Sequence, residues 1–209
     1  MNIQITIFGA TGSIGPFLID KALDLGHTII SASRKPQNDT TDGVKSIVVD
    51  YGDTESIKKA LVGSDAVIIA LGGSNILEPT KNILHTLETY GPKKVEMITG
   101  FGSDKKLRKE LPLSQQVMFN AMKVTFSAVL KVMSQQVEII RNTNGLDWLN
   151  VQPPWLTYDE KTDYRYGVDI KSTVNSKLSR LDLADFMITQ LSQNELGKKS
   201  VNIVGSTKK

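Results

Sequence analysis

The chain has no cysteine. Disulfides and thiolate-bound metals are therefore excluded, and no metal site is expected. Histidine is scarce, with only His27 and His85. His27 sits before a strand-like run and reads as an exposed turn residue, and His85 reads as a surface or half-buried position inside a helix. No run approaches eighteen apolar residues, so neither a membrane-spanning helix nor a membrane partner is expected. The start, "MNIQITIFG", lacks a basic flank followed by an apolar signal core. It reads directly as a strand, and the expected location is cytoplasmic. Charge of one sign is not in excess either, with 25 Lys and Arg against 22 Asp and Glu. The densest basic run, "DKKLRKE" at 104–110, is too mixed for a nucleic-acid surface and reads as a solvated loop or helix start.

What is present is an alternation of short apolar runs with helical text. Strands are expected at 3–8, 28–32, 45–49, 66–70, 94–98, 147–151 and 200–204. Most are nearly continuous in apolar residues, as strands are when both sheet faces are covered. Helices are expected over 13–26, 53–63, 78–91 and 179–193. A long one over 112–144, whole or kinked, carries an apolar stripe through Val117, Met118, Ala121, Met122, Val129, Val132, Met133, Val137 and Ile140. Strands alternating with helices predict an α/β fold with a doubly wound parallel sheet. At 209 residues the chain suits one domain over 1–209. Such a sheet binds ligands beyond the carboxyl ends of its strands.

The first strand end reads "ITIFGATGSIG". Gly9 allows a tight turn, Gly12 lets a pyrophosphate approach the backbone, and Gly15 lets the helix pack close. The N–H groups from Thr11 to Ile14, with the Thr11 and Ser13 hydroxyls, then face phosphates at the positive helix end. The Gly-x-x-Gly-x-x-Gly spacing is one residue longer than the commonest dinucleotide fingerprint. It is not a P-loop, because Pro16 and Phe17 follow Gly15 where Lys and Ser or Thr are required. After the second strand comes "SRKP" in place of an acidic residue. Arg34, with Ser33, suits a 2′-phosphate, so NADP(H) is expected over NAD(H). Asp50 and Tyr51 follow the third strand, where an adenine would lie. Leu71, Gly72 and Gly73 follow the fourth and leave room for a ribose. Thr99 and Gly100 follow the fifth, and Pro153 and Pro154 follow the sixth, as a frame for a nicotinamide. Phe101 and Trp155 are candidate walls for a substrate.

These stretches, together with "VVDYGDTESIKKALVGSDAVIIALGG", "NGLDWLNVQPPWL" and "SRLDLADFM", resemble the atypical short-chain dehydrogenase/reductase family. Within it the likeness is to NAD(P)H-binding proteins similar to biliverdin reductase B, also called flavin reductase, and to NmrA-like proteins. The resemblance implies a Rossmann fold with a substrate-side loop region at 152–180. It also implies pyrophosphate contacts at Gly9, Thr11, Gly12, Ser13, Ile14 and Gly15, with the remaining contacts as placed above. Ser179, Arg180 and Asp182 would pin the final helix. Standard members carry Tyr-x-x-x-Lys on the helix after the fifth strand, where Lys lowers the Tyr pKa. Here 112–144 has no tyrosine, and alignment places Leu130 and Ser134 at the two positions. Tyr158, Tyr164 and Tyr166 read as loop packing or substrate contacts. The implied activity is transfer of a hydride from NADPH to a planar quinone-, flavin- or tetrapyrrole-like acceptor. The alternative is a non-catalytic sensor of NADP state. Oligomeric state and catalytic residues are not fixed by the sequence.

Overall fold

The computed structural model describes residues 2–37, 41–170, 172, 175–192 and 197–206, without the side chains of 115 and 118–127. Met118, Ala121 and Met122 of the expected stripe therefore lie outside the described side chains. In chain order the elements are β1 (Gln4–Phe8), α1 (Gly15–Asp24), β2 (Thr28–Ser33), β3 (Val44–Val48), α2 (Thr54–Leu61), β4 (Ala66–Ile69), α3 (Leu77–Thr89) and β5 (Lys94–Ile98). They continue with α4 (Lys105–Glu110), α5 (Leu113–Asn142), β6 (Asp147–Gln152), β7 (Trp155–Thr157), β8 (Tyr164–Gly167), β9 (Lys177–Ser179), α6 (Arg180–Leu191) and β10 (Lys199–Gly205).

The main sheet runs β3-β2-β1-β4-β5-β6-β10-β8. All its pairings are parallel except β10 with β8. Residues alternate between faces along a strand. Ile5 and Ile7 pack with Leu18 and Ala22 of α1 and Leu183 and Met187 of α6. Phe8, Val67, Val95 and Met97 pack instead with Leu61 of α2, Ile83 and Leu87 of α3 and Ile140 of α5. Two apolar layers, one on each face, explain why the strands read as unbroken apolar runs. Each fully buried Ile or Leu contributes about 1.5–3 kcal/mol, so both layers stabilise the sheet.

All seven expected parallel strands are present, within one residue at most ends. The long helix is a single element, opened by Pro112 as its N-cap. The basic run at 104–110 forms α4, capped by Asp104, whose side chain accepts from Lys106 N. The expected exposed turn at His27 is corrected. His27 is 6% exposed, its Nδ1 accepts from Ile3 N at 3.4 Å, and burial lowers its pKa. The reason is that the chain leaves α1 and enters β2 directly, with His27 N bonded back to Ala22 O.

Strand order reverses beside β1, which lies between β2 and β4. Openings of this sheet type occur at that reversal, and it decides where the site is to be sought.

Candidate functional site

At the carboxyl end of β1, Gly9 turns the chain at φ +90°. A Cβ there would stand 2.5 Å from Ala70 O, and Ala70 N donates to Phe8 O at 2.8 Å. The turn after β1 and the loop after β4 are thus pressed together, and only glycine fits between them. At Gly15 a Cβ would fall 1.8 Å from Ala10 O. Its smallness clears the turn itself. Gly12 N donates to Gly9 O at 2.9 Å, so this amide is spent inside the turn, contrary to the expectation that all of 11–14 are open. Among the described residues the amides of Thr11, Ser13 and Ile14 make no backbone bond. No side chain caps the start of α1 at Ile14. The helix end therefore presents unpaired donors, which attract an anion.

A polar cleft of about 430 Å³ opens from this turn. Gly9, Thr11 and Gly12 line it, with Ser33 and Arg34 after β2, Tyr51 after β3, and Leu71, Gly72 and Gly73 after β4. Among the described residues no carboxylate lines it, and Arg34 has no ion pair. Ser33 Oγ donates to Lys35 O at 2.7 Å and accepts from Gln37 Nε2 at 2.8 Å. Its one proton is committed, so the donor expected there shapes the turn. Burial raises the Tyr51 pKa, while Arg34 and the Gly9 backbone act in the opposite direction. Asp50 Oδ1 accepts from Gly52 N at 2.8 Å and does not line the cleft.

Gly12, Leu71, Gly72 and Gly73 also border a second volume of about 640 Å³, joined to the first. Ser13 and Ile14 line it at the α1 end, Ile98 and Thr99 at the end of β5, and Leu156 on β7. Its remaining wall is α5, through Ala128, Val129, Val132, Met133 and Gln136. That wall was missed as a binding surface. Its apolar stripe reads as core packing, and only its position after β5 hints at more. The alignment of Leu130 and Ser134 to the Tyr-x-x-x-Lys positions is corrected, because neither faces the cavity. Ser134 Oγ donates to Ser103 O at 2.8 Å, and the cavity-facing pairs four residues apart are Ala128 and Val132, Val129 and Met133, and Val132 and Gln136.

Thr99 is held from below. Its Oγ1 lies 2.9 Å from Asn150 Oδ1 and 2.7 Å from Ser103 Oγ. Ser103 Oγ and Asp104 N both donate to Gln152 Oε1 at 2.8 Å, and Asn150 Nδ2 donates to Ser200 Oγ at 3.1 Å. Asp104 is bridged to Arg141 at 2.7 Å. Burial alone would raise its pKa, but hydrogen bonds from Ser200, Arg141 and Lys106 N outweigh burial and lower it. Gly15, Gly100, Phe101, Pro153, Pro154 and Trp155 line neither volume. Phe101 N donates to Pro153 O at 2.9 Å, tying the loops after β5 and β6 together, and Trp155 is exposed.

Near the cavity, Ser179 N-caps α6 through Asp182 N. The Asp182 carboxylate takes Thr162 N and Thr162 Oγ1, both at 2.9 Å. The segment between β7 and α6 is anchored by these bonds, as the "SRLD" reading expects. Arg180 lies 4.0 Å over the Tyr158 ring. Tyr164 and Tyr166 pack on Phe186. Among the described residues no cluster of three or more His, Asp or Glu could hold a metal, and no helix is long and apolar enough to cross a membrane.

A family model described as NAD(P)H-binding matches residues 9–194. The chain belongs to this NAD(P)H-binding family. The match starts at Gly9, the first glycine of the turn, and runs through α6. Among curated proteins, the chain is 30% identical over 112 residues to isoflavone reductase homolog P3 of Arabidopsis thaliana, covering 48% of this chain and 36% of that protein. The chain thus spans about a third of the length of the curated relatives it matches. Among solved structures, a putative epimerase of Bacteroides thetaiotaomicron superposes with a TM-score of 0.81 at 20% identity, over 100% of both chains. A wide-type short-chain dehydrogenase/reductase of Veillonella parvula, solved in complex with NADP, gives 0.77 at 21% identity over 99% of this chain and 96% of that one. At these identities the structural likeness establishes the fold. For an NAD(P)H-binding chain of this fold, the unpaired amides of α1 and a cleft with Arg34 and no carboxylate among its described residues fit a dinucleotide phosphate group.

Proposed function

We propose that this protein is an NADPH-dependent reductase of the biliverdin/flavin reductase-like kind, acting on a planar conjugated acceptor without a Tyr-x-x-x-Lys pair. The observation that carries the reading is the continuity of the two volumes. A polar cleft suited to a phosphorylated nucleotide runs past Gly72 and Gly73 into an apolar cavity suited to a flat organic molecule. Family membership and the isoflavone reductase homologues support it.

Bound NADPH would supply a hydride to the acceptor, and the proton that completes the reduction would come from solvent. The chain's work is positioning. The open amides of Thr11, Ser13 and Ile14 hold the pyrophosphate. Arg34 holds the 2′-phosphate through a charge-assisted pair, which favours NADP(H) over NAD(H). Tyr51 flanks the adenine side, with Asp50 shaping that turn through Gly52 N, and Leu71 to Gly73 border the ribose. Thr99, fixed by Asn150 and Ser103, sets the floor under the nicotinamide, with Gly100, Pro153 and Pro154 behind it. Met133, Val129 and Leu156 exclude water and keep the acceptor face to face with the cofactor, which is where such catalysis gains its rate. Phe101 and Trp155 wall the entrance.

A cofactor-sensing protein without turnover is the second reading. One observation favours it: among the described residues no titratable side chain lines the apolar cavity. Purified protein incubated with NADPH and a panel of quinones, flavins and conjugated ketones decides between them. Loss of the reduced-cofactor absorbance band is expected. NADPH binding with no turnover on any acceptor would replace the reductase by the sensor.

A further inference from the structure

Among the described residues Gln136 is the sole amide side chain in the wall of the apolar cavity, and it is only 1% exposed. Its Nε2 donates to Thr80 Oγ1 at 2.8 Å. Thr80 has one hydroxyl proton, and that proton goes to Ile76 O at 2.7 Å. Toward Gln136, then, Thr80 can only accept. This settles which way the amide faces, with nitrogen on Thr80 and oxygen turned from it. The oxygen, Oε1, is buried and has no donor among the described residues. A buried acceptor without a donor is costly, and such groups in native proteins have a reason. Oε1 and Nε2 share one planar amide, so with Nε2 kept on Thr80 a donor must come to Oε1 where it stands. The hydroxyls of Ser13, Ser74 and Thr99 also line the cavity, yet none bonds Oε1, while Ile98, Val129, Val132, Met133 and Leu156 are apolar, and among the described residues no charged one lines the cavity.

We infer that Gln136 Oε1 accepts a hydrogen bond from the acceptor molecule itself, and so selects a neutral, planar conjugated carbonyl compound bearing one hydroxyl donor. A phenol-bearing enone or quinone is the simplest example. This rests on the reductase reading and narrows it. A tetrapyrrole with its carboxylates, or a flavin with its phosphate, would bring charge into a wall with no cation among its described residues, which is unfavourable. A flat phenolic ketone brings an apolar body and the one proton that Oε1 lacks.

The test compares 4-hydroxychalcone with 4-methylchalcone, which share a shape and differ in the donor. Binding to the NADP+-saturated protein is measured by calorimetry. The hydroxylated compound is expected to bind about tenfold tighter, the margin of one hydrogen bond. In Gln136→Leu that margin should vanish while the methyl compound binds at least as well as before. Thr80→Val, which frees the amide to reverse, should reduce the margin as well. It guards against a packing fault in the leucine variant, and melting temperature and NADP+ affinity report folding of both. Equal binding of the two chalcones to the wild type, or binding of neither, overturns the inference. So does a Gln136→Leu protein that keeps the margin but loses NADP+, since Oε1 would then serve the cofactor. Turnover is read separately with NADPH. A margin that depends on Gln136 without any NADPH oxidation would support the contact at Oε1 while counting against the chalcones as hydride acceptors, so failure of the contact and failure of the reductase reading are told apart.

Discussion

Glu96 offers the sharpest test of the physical account. It lies in the middle of β5, fully buried, with both carboxyl oxygens lacking a partner among the described residues. Its neighbours across the sheet are Ile68 on β4 and Leu149 on β6, both in the apolar layer under α1 and α6. Burial pushes its pKa well above the usual carboxylate range, so the folded protein holds this carboxyl protonated. The sign follows directly. Below the unfolded-state pKa both states are protonated, and the group costs no charge burial. As pH rises above that value the unfolded chain releases a proton that the folded one keeps. Stability then falls by about 1.4 kcal/mol per pH unit until the raised folded pKa is reached. Glu96→Leu abolishes this term and places a side chain of similar reach among apolar neighbours. The variant should be more stable than the wild type at neutral pH. Its advantage should shrink by about 1.4 kcal/mol for each unit of acidification toward the ordinary carboxylate range. Urea unfolding at a series of pH values, with the slope against denaturant held common, measures it. A stability difference that does not change with pH would refute the reasoning, as would a variant less stable than the wild type at every pH.

Arg34→Asp should weaken NADPH by about ten- to a hundredfold while leaving NADH nearly unchanged, the range of a lost charge-assisted contact. Titration with both cofactors checks this, and equal losses would remove the 2′-phosphate assignment. Gly15→Ala forces a methyl group onto Ala10 O and should lower stability by about 1–3 kcal/mol, or prevent folding, as overpacking does. Thermal melting reads it, and an unchanged midpoint would mean that the turn yields. Asp185 accepts from Tyr164 at 3.0 Å and pairs with Lys21 and Lys161. Burial would raise its pKa, but those partners bring it down to about 2. Its stabilisation is therefore present above the ordinary carboxylate range and is lost as pH falls toward 2. Asp185→Asn should flatten the acid limb of the stability profile, and an unaltered limb would show that the pair is inert.

The parallel sheet was legible because its strands are buried on both faces and so read as apolar runs. β7, β8 and β9 were not. "KLS" and "YRYG" are short and polar, and they form only because β7 and β10, respectively, offer edges to pair with. The glycine turn was readable because steric demands restrict its residues. Even there the sequence could not show that Gly12 N and the Ser33 proton are consumed locally. The α5 wall escaped notice because apolar residues facing a cavity look like apolar residues facing a core. Val129 and Met133 differ from Leu130 and Ser134 by one residue of helical phase, which alignment around a missing motif cannot fix.

The polar group running from Thr99 through Asn150, Ser103, Gln152 and Asp104 to Arg141 joins β5, β6, α4 and α5. Its members are chemically interdependent, since each one replaced leaves its neighbour with a stranded donor or acceptor. Mutational drift at these positions is thereby coupled. A change is tolerated only when its partner changes too, and relatives should carry alternative versions of the group as whole sets, with mixed combinations selected against.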